Sequence, residues 1–235
     1  MSDLKINNIT PLSGNIKVGN TNVSQIYCGS TLVWPLACND VVIGTQTWTG
    51  CNLNVSTYAN GDPIPQAIDD ADWLSKGSAG IGAWCHYDNN PANDAIYGKL
   101  YNWHAVNNIS NGGLAPAGYH IPTDAEWTTL TTYLGGESVA GGKMKSTGTI
   151  QAGNGLWESP NEAATNLSGF TGLPGGVRNS LGTFVYISEL GFWWSSSEAD
   201  STSAWNRYLT QNTGGINRNN SVKGLGQSVR LIENN

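Results

Sequence analysis

The sequence predicts an α+β domain: two main helices come early, a long, loop-rich antiparallel sheet follows them, and a short N-terminal β segment precedes the whole. Three observations carry this reading. With 30 Gly, 9 Pro and 10 Trp against 3 Phe and 2 Met in 235 residues, the composition favours turns, short strands and aromatic packing over a helix bundle. The run Thr123-Asp124-Ala125-Glu126-Trp127 is a helix start, with Thr123 as N-cap and Glu126 completing a capping box ahead of Trp127, Leu130 and Leu134. After Gly141 no helical periodicity recurs, and β-type runs alternate with Gly, Asn and Ser clusters.

Taken in order, residues 1–36 alternate apolar and polar positions (Ile16, Val18, Val23, Ile26, Leu32), with Gly14, Gly19 and Gly29 at turns. This segment is too short to bury its own core, so it is expected to attach the chain to a larger assembly or to sister subunits, leaving 37–235 as the ligand-binding domain. Val41 to Trp48 reads as one strand, and Ile68 to Leu74 as a short helical stretch. Asn93-Asp94 caps an expected helix whose apolar face is Tyr97, Leu100, Tyr101 and His104. Gly135-Gly136 stops the helix that begins at Thr123, and Phe170–Leu173, Thr183–Ile187, Phe192–Ser195, Ala204–Leu209 and Val229–Ile232 are the expected strands.

A formal charge of -6 with 11 Lys+Arg gives no electrostatic footprint for nucleic acid. No window approaches the roughly 18 apolar residues of a spanning helix, so membrane insertion is not expected. The opening Met1-Ser2-Asp3-Leu4-Lys5 lacks the apolar core of a secretory signal, which points to synthesis in the cytosol. Cys28, Cys38, Cys51 and Cys85 show no zinc spacing and read as free, partly buried thiols; a disulfide such as Cys28 to Cys38 requires an oxidising exterior.

The order of several motifs resembles the Fibrobacter succinogenes major paralogous domain. They are Ile43-Gly44-Thr45-Gln46-Thr47-Trp48, Tyr97-Gly98-Lys99-Leu100-Tyr101-Asn102-Trp103, Pro116-Ala117-Gly118-Tyr119-His120-Ile121-Pro122-Thr123, Leu173-Pro174-Gly175-Gly176, Trp193-Trp194-Ser195-Ser196-Ser197 and Gly226-Gln227-Ser228-Val229-Arg230. The resemblance spans about residues 40–232 and implies a C-type-lectin-like fold, shared with formylglycine-generating enzymes and with retroelement-diversified variable proteins, phage tropism determinants among them. Residues 23–35 look like β segments of phage tail and fibre proteins.

Catalysis is not expected. His86, His104 and His120 are scattered and read as structural, and the thiol chemistry of the formylglycine-generating relatives needs cysteines in the C-terminal half, whereas the last one here is Cys85. Asp88-Asn89-Asn90-Pro91-Ala92-Asn93-Asp94 could offer oxygen ligands to calcium, but fits no EF-hand spacing and reads better as a turn with a helix cap, so no cofactor is assigned. Trp193, Trp194 and Trp205 could stack on sugar rings, though at least one of the adjacent pair should point inward.

The segment 195–230 interleaves framework residues (Trp205, Arg218, Lys223, Gly226, Val229, Arg230) with Asp200, Ser201, Thr202, Ser203, Asn206, Tyr208, Thr210, Asn212, Asn217, Asn219, Ser221, Val222 and Leu225. The residue types of this second set are reachable from an AAC codon by changing its adenines, as adenine-directed retrotranscription would write them, although polar β-loops are rich in Asn and Ser in any case. They are the candidate ligand-binding residues. The expected protein is a non-enzymatic receptor-binding adhesin of a phage tail or virion, a homo-oligomer joined to tail or fibre proteins, recognising a bacterial cell-surface glycan or protein. The alternative is a secreted or surface-anchored bacterial protein of the same family.

Overall fold

The computed structural model describes residues 38–234 and, as backbone only, four short strands ahead of them. Those strands form two antiparallel pairs, β1 (Lys17–Val18) with β2 (Thr21–Asn22) and β3 (Ile26–Cys28) with β4 (Thr31–Trp34). The attachment role expected of residues 1–36 and the state of the Cys28 thiol lie outside the described residues.

The run from Val41 to Trp48 is a hairpin, not one strand: β5 (Val41–Ile43) turns through Gly44 and Thr45 into β6 (Gln46–Trp48), with Ile43 opposite Gln46. Gly44 sits at φ 65°, which a glycine adopts without steric cost, and the chain reverses where alternation alone suggested continuity. The base of this hairpin is bracketed by a disulfide between Cys38 and Cys51. Expected as free thiols, these two are bonded because the reversal brings residues 38 and 51 within 5.0 Å at Cα, a proximity that sequence separation conceals. Cys85 is a buried free thiol.

Helix α1 (Asp70–Ser78) begins two residues later than expected, where Asp69 caps it by accepting from the Asp72 N–H at 2.8 Å, and it buries Trp73. The expected helix over 94–104 does not form. Instead β7 (Trp84–Cys85) pairs with β8 (Leu100–Tyr101), and two short helices, α2 (Asp94–Tyr97) and α3 (Trp103–Val106), flank β8. Gly98 ends α2 at φ 70°, and a Cβ there would stand 2.8 Å from the Leu53 carbonyl, so chain packing breaks the helix while keeping its apolar residues inside. Tyr97, Leu100 and Tyr101 are all buried.

β9 (Tyr119–His120) leads into α4 (Asp124–Tyr133), which carries the capping box read from the sequence: Thr123 Oγ1 accepts from Glu126 N at 3.2 Å and the Glu126 carboxylate accepts from Thr123 N at 2.7 Å. Past Gly135-Gly136 comes a further helix that local periodicity did not suggest, α5 (Glu137–Met144). Its glycines lower helix propensity but permit contact: a Cβ on Gly141 would collide with the Gly215 carbonyl.

The main sheet has the order β11-β10-β12-β13-β14, from β10 (Gly175–Arg178), β11 (Phe184–Ile187), β12 (Leu190–Glu198), β13 (Ser203–Thr210) and β14 (Asn217–Val222). Within it only β10 and β12 pair in parallel. Phe170–Leu173 is not a strand, and of Val229–Ile232 only Ile232 enters one, β15 (Ile232–Glu233), which lies between β6 and β9 in a second sheet and so joins the C-terminal end to the β5–β6 hairpin. β14 escapes sequence reading because Asn-Arg-Asn-Asn-Ser-Val is poor in strand formers; cross-strand pairing to β13 overrides that preference.

Both faces of β12 are covered at its centre. Trp193 joins Trp48, Trp127 and Phe170 beneath α4, whereas Trp194 joins Trp103, Tyr101 and Ala204 on the opposite side. Their indole N–H groups donate to Asn52 Oδ1 at 2.8 Å and to the Tyr101 carbonyl at 2.9 Å. Both rings are therefore interior, and neither is available to stack on a sugar. Among the described residues no helix is long and apolar enough to cross a membrane.

Candidate recognition surface

The reverse side of the β13–β14 hairpin is fixed by charge. Asp124, in the first turn of α4, accepts from Arg207 Nη1 at 2.6 Å and from Arg218 Nη2 at 2.9 Å. Arg207 and Arg218 are cross-strand partners, so the two like charges share a face and need the carboxylate between them. Burial opposes ionisation of Asp124, but hydrogen bonds from Arg218 and Arg207 outweigh it and hold its pKa below the ordinary carboxylate value.

The other framework positions are anchored as well. Lys223 reaches Glu198 and the Ser201 carbonyl and lies 4.9 Å from the Trp103 ring centroid. Arg230, fully buried, donates to Asn52 Oδ1 at 2.8 Å and to the carbonyls of Thr49 and Thr171, with Phe170 under its guanidinium. Lys145 Nζ donates to the carbonyls of Glu162, Thr210 and Thr213 at 2.7, 2.9 and 2.9 Å, clamping the end of β13 from below. Sequence reading does not single out Asp124, Asn52 or Lys145 as hubs, because each acts through partners remote in the chain.

Strand register sorts the thirteen candidate residues. Directly opposed residues share a face, so Phe192, Tyr208 and Asn217 form one row, Trp194, Asn206 and Asn219 the next, and Leu190 with Thr210 a third. On this face Phe192 and Tyr208 stack with centroids 5.4 Å apart, both half-buried, beside half-buried Thr210 and Asn217 and exposed Asn219. In the sequence Phe192 reads only as part of a β run; its alternation with buried Trp193 is the signal that could have found it.

Two candidates lie in the interior instead. Asn206 is fully buried and donates to Ser221 Oγ at 2.6 Å, and Ser203 is buried with its hydroxyl donating to Asp200. Neither can meet a macromolecular ligand, because Asn206 lies in the row of Trp194, beneath the second core cluster, and Ser203 folds into its own turn. Ser221 is half-buried by the same contact, and Leu225 packs against that core.

Asp200, Ser201 and Thr202 form the exposed β12–β13 turn. Asp200 accepts from the N–H groups of Thr202 and Ser203 at 2.8 and 2.9 Å, and hydrogen bonds from the Ser203 hydroxyl and from Thr202 drive its pKa strongly down. Exposed Asn212 lies in the connection at the opposite end of β13, about 25 Å away along an eight-residue strand. Val222 opposes Ser203 and so points to the reverse face. The candidates thus fall into a sheet face, a turn at each end, Val222 exposed on the reverse face and a buried or half-buried remainder, not one contiguous patch.

The titratable groups elsewhere are engaged in structure. His86 Nδ1 is 2.7 Å from Asp94 Oδ1, whose other oxygen takes Lys99 Nζ at 2.6 Å; His120 lies between Asn234 and Glu126, 2.7 Å from each. Among the described residues no three His, Cys, Asp or Glu side chains stand close enough to hold a metal ion, and Asp94 is already engaged by its two partners. An open groove of about 590 Å³ runs between α4 and the β5–β6 turn, lined by Ile43, Gly44, Thr45, Thr128, Thr129, Thr132 and Tyr133. The hydroxyls of Thr128 and Thr129 bond back into their own helix, leaving methyl groups on its wall.

A family model, the Fibrobacter succinogenes major domain, matches residues 41–233. No curated protein and no solved structure matches the chain.

Proposed function

The chain belongs to the Fibrobacter succinogenes major domain family over residues 41–233, and from that premise we propose that it is a non-enzymatic receptor-binding protein of a phage tail or virion. The observation that carries this is the Phe192–Tyr208 stack, half-exposed on a sheet face with Thr210, Asn217 and Asn219 around it, above a reverse face locked by Asp124, Arg207 and Arg218. Rigid aromatic area gives contact at low entropic cost and the amides supply adaptable hydrogen bonds, the division of labour found in paratopes.

The ligand class is a bacterial cell-surface glycan or protein. A C-type-lectin-like scaffold with retroelement-diversified positions fits the way small polar residues decorate a fixed aromatic frame. Residues 1–36 attach the domain to tail or fibre proteins and assemble it as a homo-oligomer, so that avidity supplements weak single sites. The Cys38–Cys51 disulfide favours a site of action in an oxidising exterior. That observation also suits the second reading, a secreted or surface-anchored bacterial protein.

The test is binding of the fluorescently labelled full chain to a panel of intact bacteria, before and after protease or periodate treatment, with Tyr208→Ala as comparison. Saturable binding to some strains, lost in Tyr208→Ala at unchanged melting temperature, is expected. Absence of binding to every strain, or full binding by the variant, would overturn the proposal.

A further inference from the structure

Unlike Trp193 and Trp194, Trp205 is only half-buried. It stands on the reverse face of the β13–β14 hairpin, away from the Phe192–Tyr208 stack, directly across from exposed Asn220 and one row from the Arg207–Arg218 pair. Its indole N–H is unengaged. Every other described tryptophan either donates this group to a protein oxygen or, like Trp127, is sealed in the core, whereas that of Trp205 has no partner and is open to solvent.

Charge at the same place is out of balance. Asp124 Oδ1 accepts from Arg207 Nη1 at 2.6 Å, and the two Asp124 oxygens accept from Nε and Nη2 of Arg218 at 2.9 to 3.1 Å, so two guanidinium groups share one carboxylate. Buried Arg207 also donates to the Asn206 and Asp124 carbonyls and to the Thr128 hydroxyl, and the surplus positive charge falls on exposed Arg218. Glu137 is near enough to act on both groups but forms no ion pair with either among the described residues. Nη1 of Arg218 has no hydrogen-bond partner among the described residues. Its guanidinium lies 3.4 Å from the Trp205 ring centroid, so the free edge of the cation and the free indole N–H belong to groups in contact.

We propose that Trp205, Arg218 and Asn220 form a second binding site, which takes the anionic group of an acidic sugar, a carboxylate or a phosphate ester. One oxyanion can accept from the Arg218 edge and the Trp205 N–H together, as charge-assisted hydrogen bonds, while the Asn220 amide is placed for a neighbouring hydroxyl. Asp124 and the Trp205 ring hold the guanidinium in place, so little freedom is lost when the anion binds. A neutral sugar leaves the surplus charge unanswered. That the anion is carried by a sugar rests on the reading of this chain as a cell-surface receptor-binding protein; the preference for an anion does not.

The experiment is titration of the full chain with glucuronate, with glycerol phosphate and with glucose, followed by NMR at the Trp205 indole N–H and the Arg218 Nε–H. One or both anions should shift these signals saturably in the millimolar range, and the tighter of the two identifies the anionic group; glucose should not. Raising sodium chloride from about 50 to about 500 mM should weaken the binding several-fold. Trp205→Phe keeps an aromatic ring under Arg218 but removes the donor, and should weaken anion binding about tenfold at a similar melting temperature, read at Arg218. No saturable shift with either anion, an equal response to glucose, or unchanged affinity in folded Trp205→Phe overturns the site. Tyr208→Ala distinguishes the two surfaces: it removes the aromatic stack of the other face and should bind the anion as the wild type does, so loss of cell binding there leaves the anion site standing. Loss of anion binding in that variant overturns the assignment to Trp205 and Arg218.

Discussion

The guanidinium of Arg218 lies over the ring of Trp205, 3.4 Å from its centroid, while its Nε and Nη2 engage the carboxylate of Asp124. Trp205 and Arg218 are diagonal neighbours across β13 and β14, so a stacked cation fastens the outer strand to the inner one and α4 fastens both. This contact makes the polar hairpin a rigid platform despite its sequence.

Asp124 therefore matters more than Arg218. Arg218→Ala removes a partly exposed cation and should cost about 1 kcal/mol. Asp124→Asn leaves the buried Arg207 without its counter-charge; because Asp124 is itself partly exposed, the expected loss is about 2 kcal/mol, below the full value for a buried pair. The sign of the pH effect follows from the lowered pKa: the contribution is complete above the unfolded-state value of about 3.9 and is lost as pH falls through the folded value. Thermal melts across acid pH should show the wild type losing stability below about pH 4 more steeply than Asp124→Asn.

The disulfide closes a loop with a sequence separation of 13, for which chain entropy gives about 3 kcal/mol. Denaturant titration of the double variant Cys38→Ala/Cys51→Ala should show a loss of about 2–3 kcal/mol. Removing residues 1–36 retains both cysteines, so the truncated domain should melt close to the full chain. Cys85 is expected to resist thiol reagents until the protein unfolds, because burial pushes its thiol up to about 12 and the Arg178 charge offsets only part of that.

Substitutions on the sheet face and in its interior should separate binding from stability. Asn217→Ala and Asn219→Ala are expected to change stability by less than about 0.5 kcal/mol while weakening cell binding. Asn206→Ala loses the bond to Ser221 in a buried site and should cost about 1–2 kcal/mol without a direct effect on ligand. Equal binding losses for Asn206→Ala and Asn219→Ala, measured on intact cells at temperatures where both variants are folded, would contradict this division.

Lys145→Met should strand the carbonyls of Glu162, Thr210 and Thr213 and cost about 3 kcal/mol, seen as a lower denaturation midpoint. Hydrogen exchange should quicken first at residues 210–213, where the clamp holds the end of β13.

The sequence by itself determined the α+β class, the family, the capped helix at Thr123 and the inward turn of at least one of Trp193 and Trp194, since each of these is written in local spacing: a capping box, alternating strands, motifs in fixed order. The broken helix at Gly98, the hairpin at Gly44, the Cys38–Cys51 bond and the strand β14 were decided by the tertiary structure. At Gly98 and in β14 a contact between distant residues outweighs a local preference of a few tenths of a kcal/mol to about 1 kcal/mol per residue, and the disulfide follows from the chain reversal at Gly44. The candidate site divided in the same way. Composition marked which residues are small and polar, but only the tertiary structure shows that, along one sheet face, Asn206 is buried beside Trp194 in the core while Tyr208 and Asn217 stay half-exposed and Asn219 exposed.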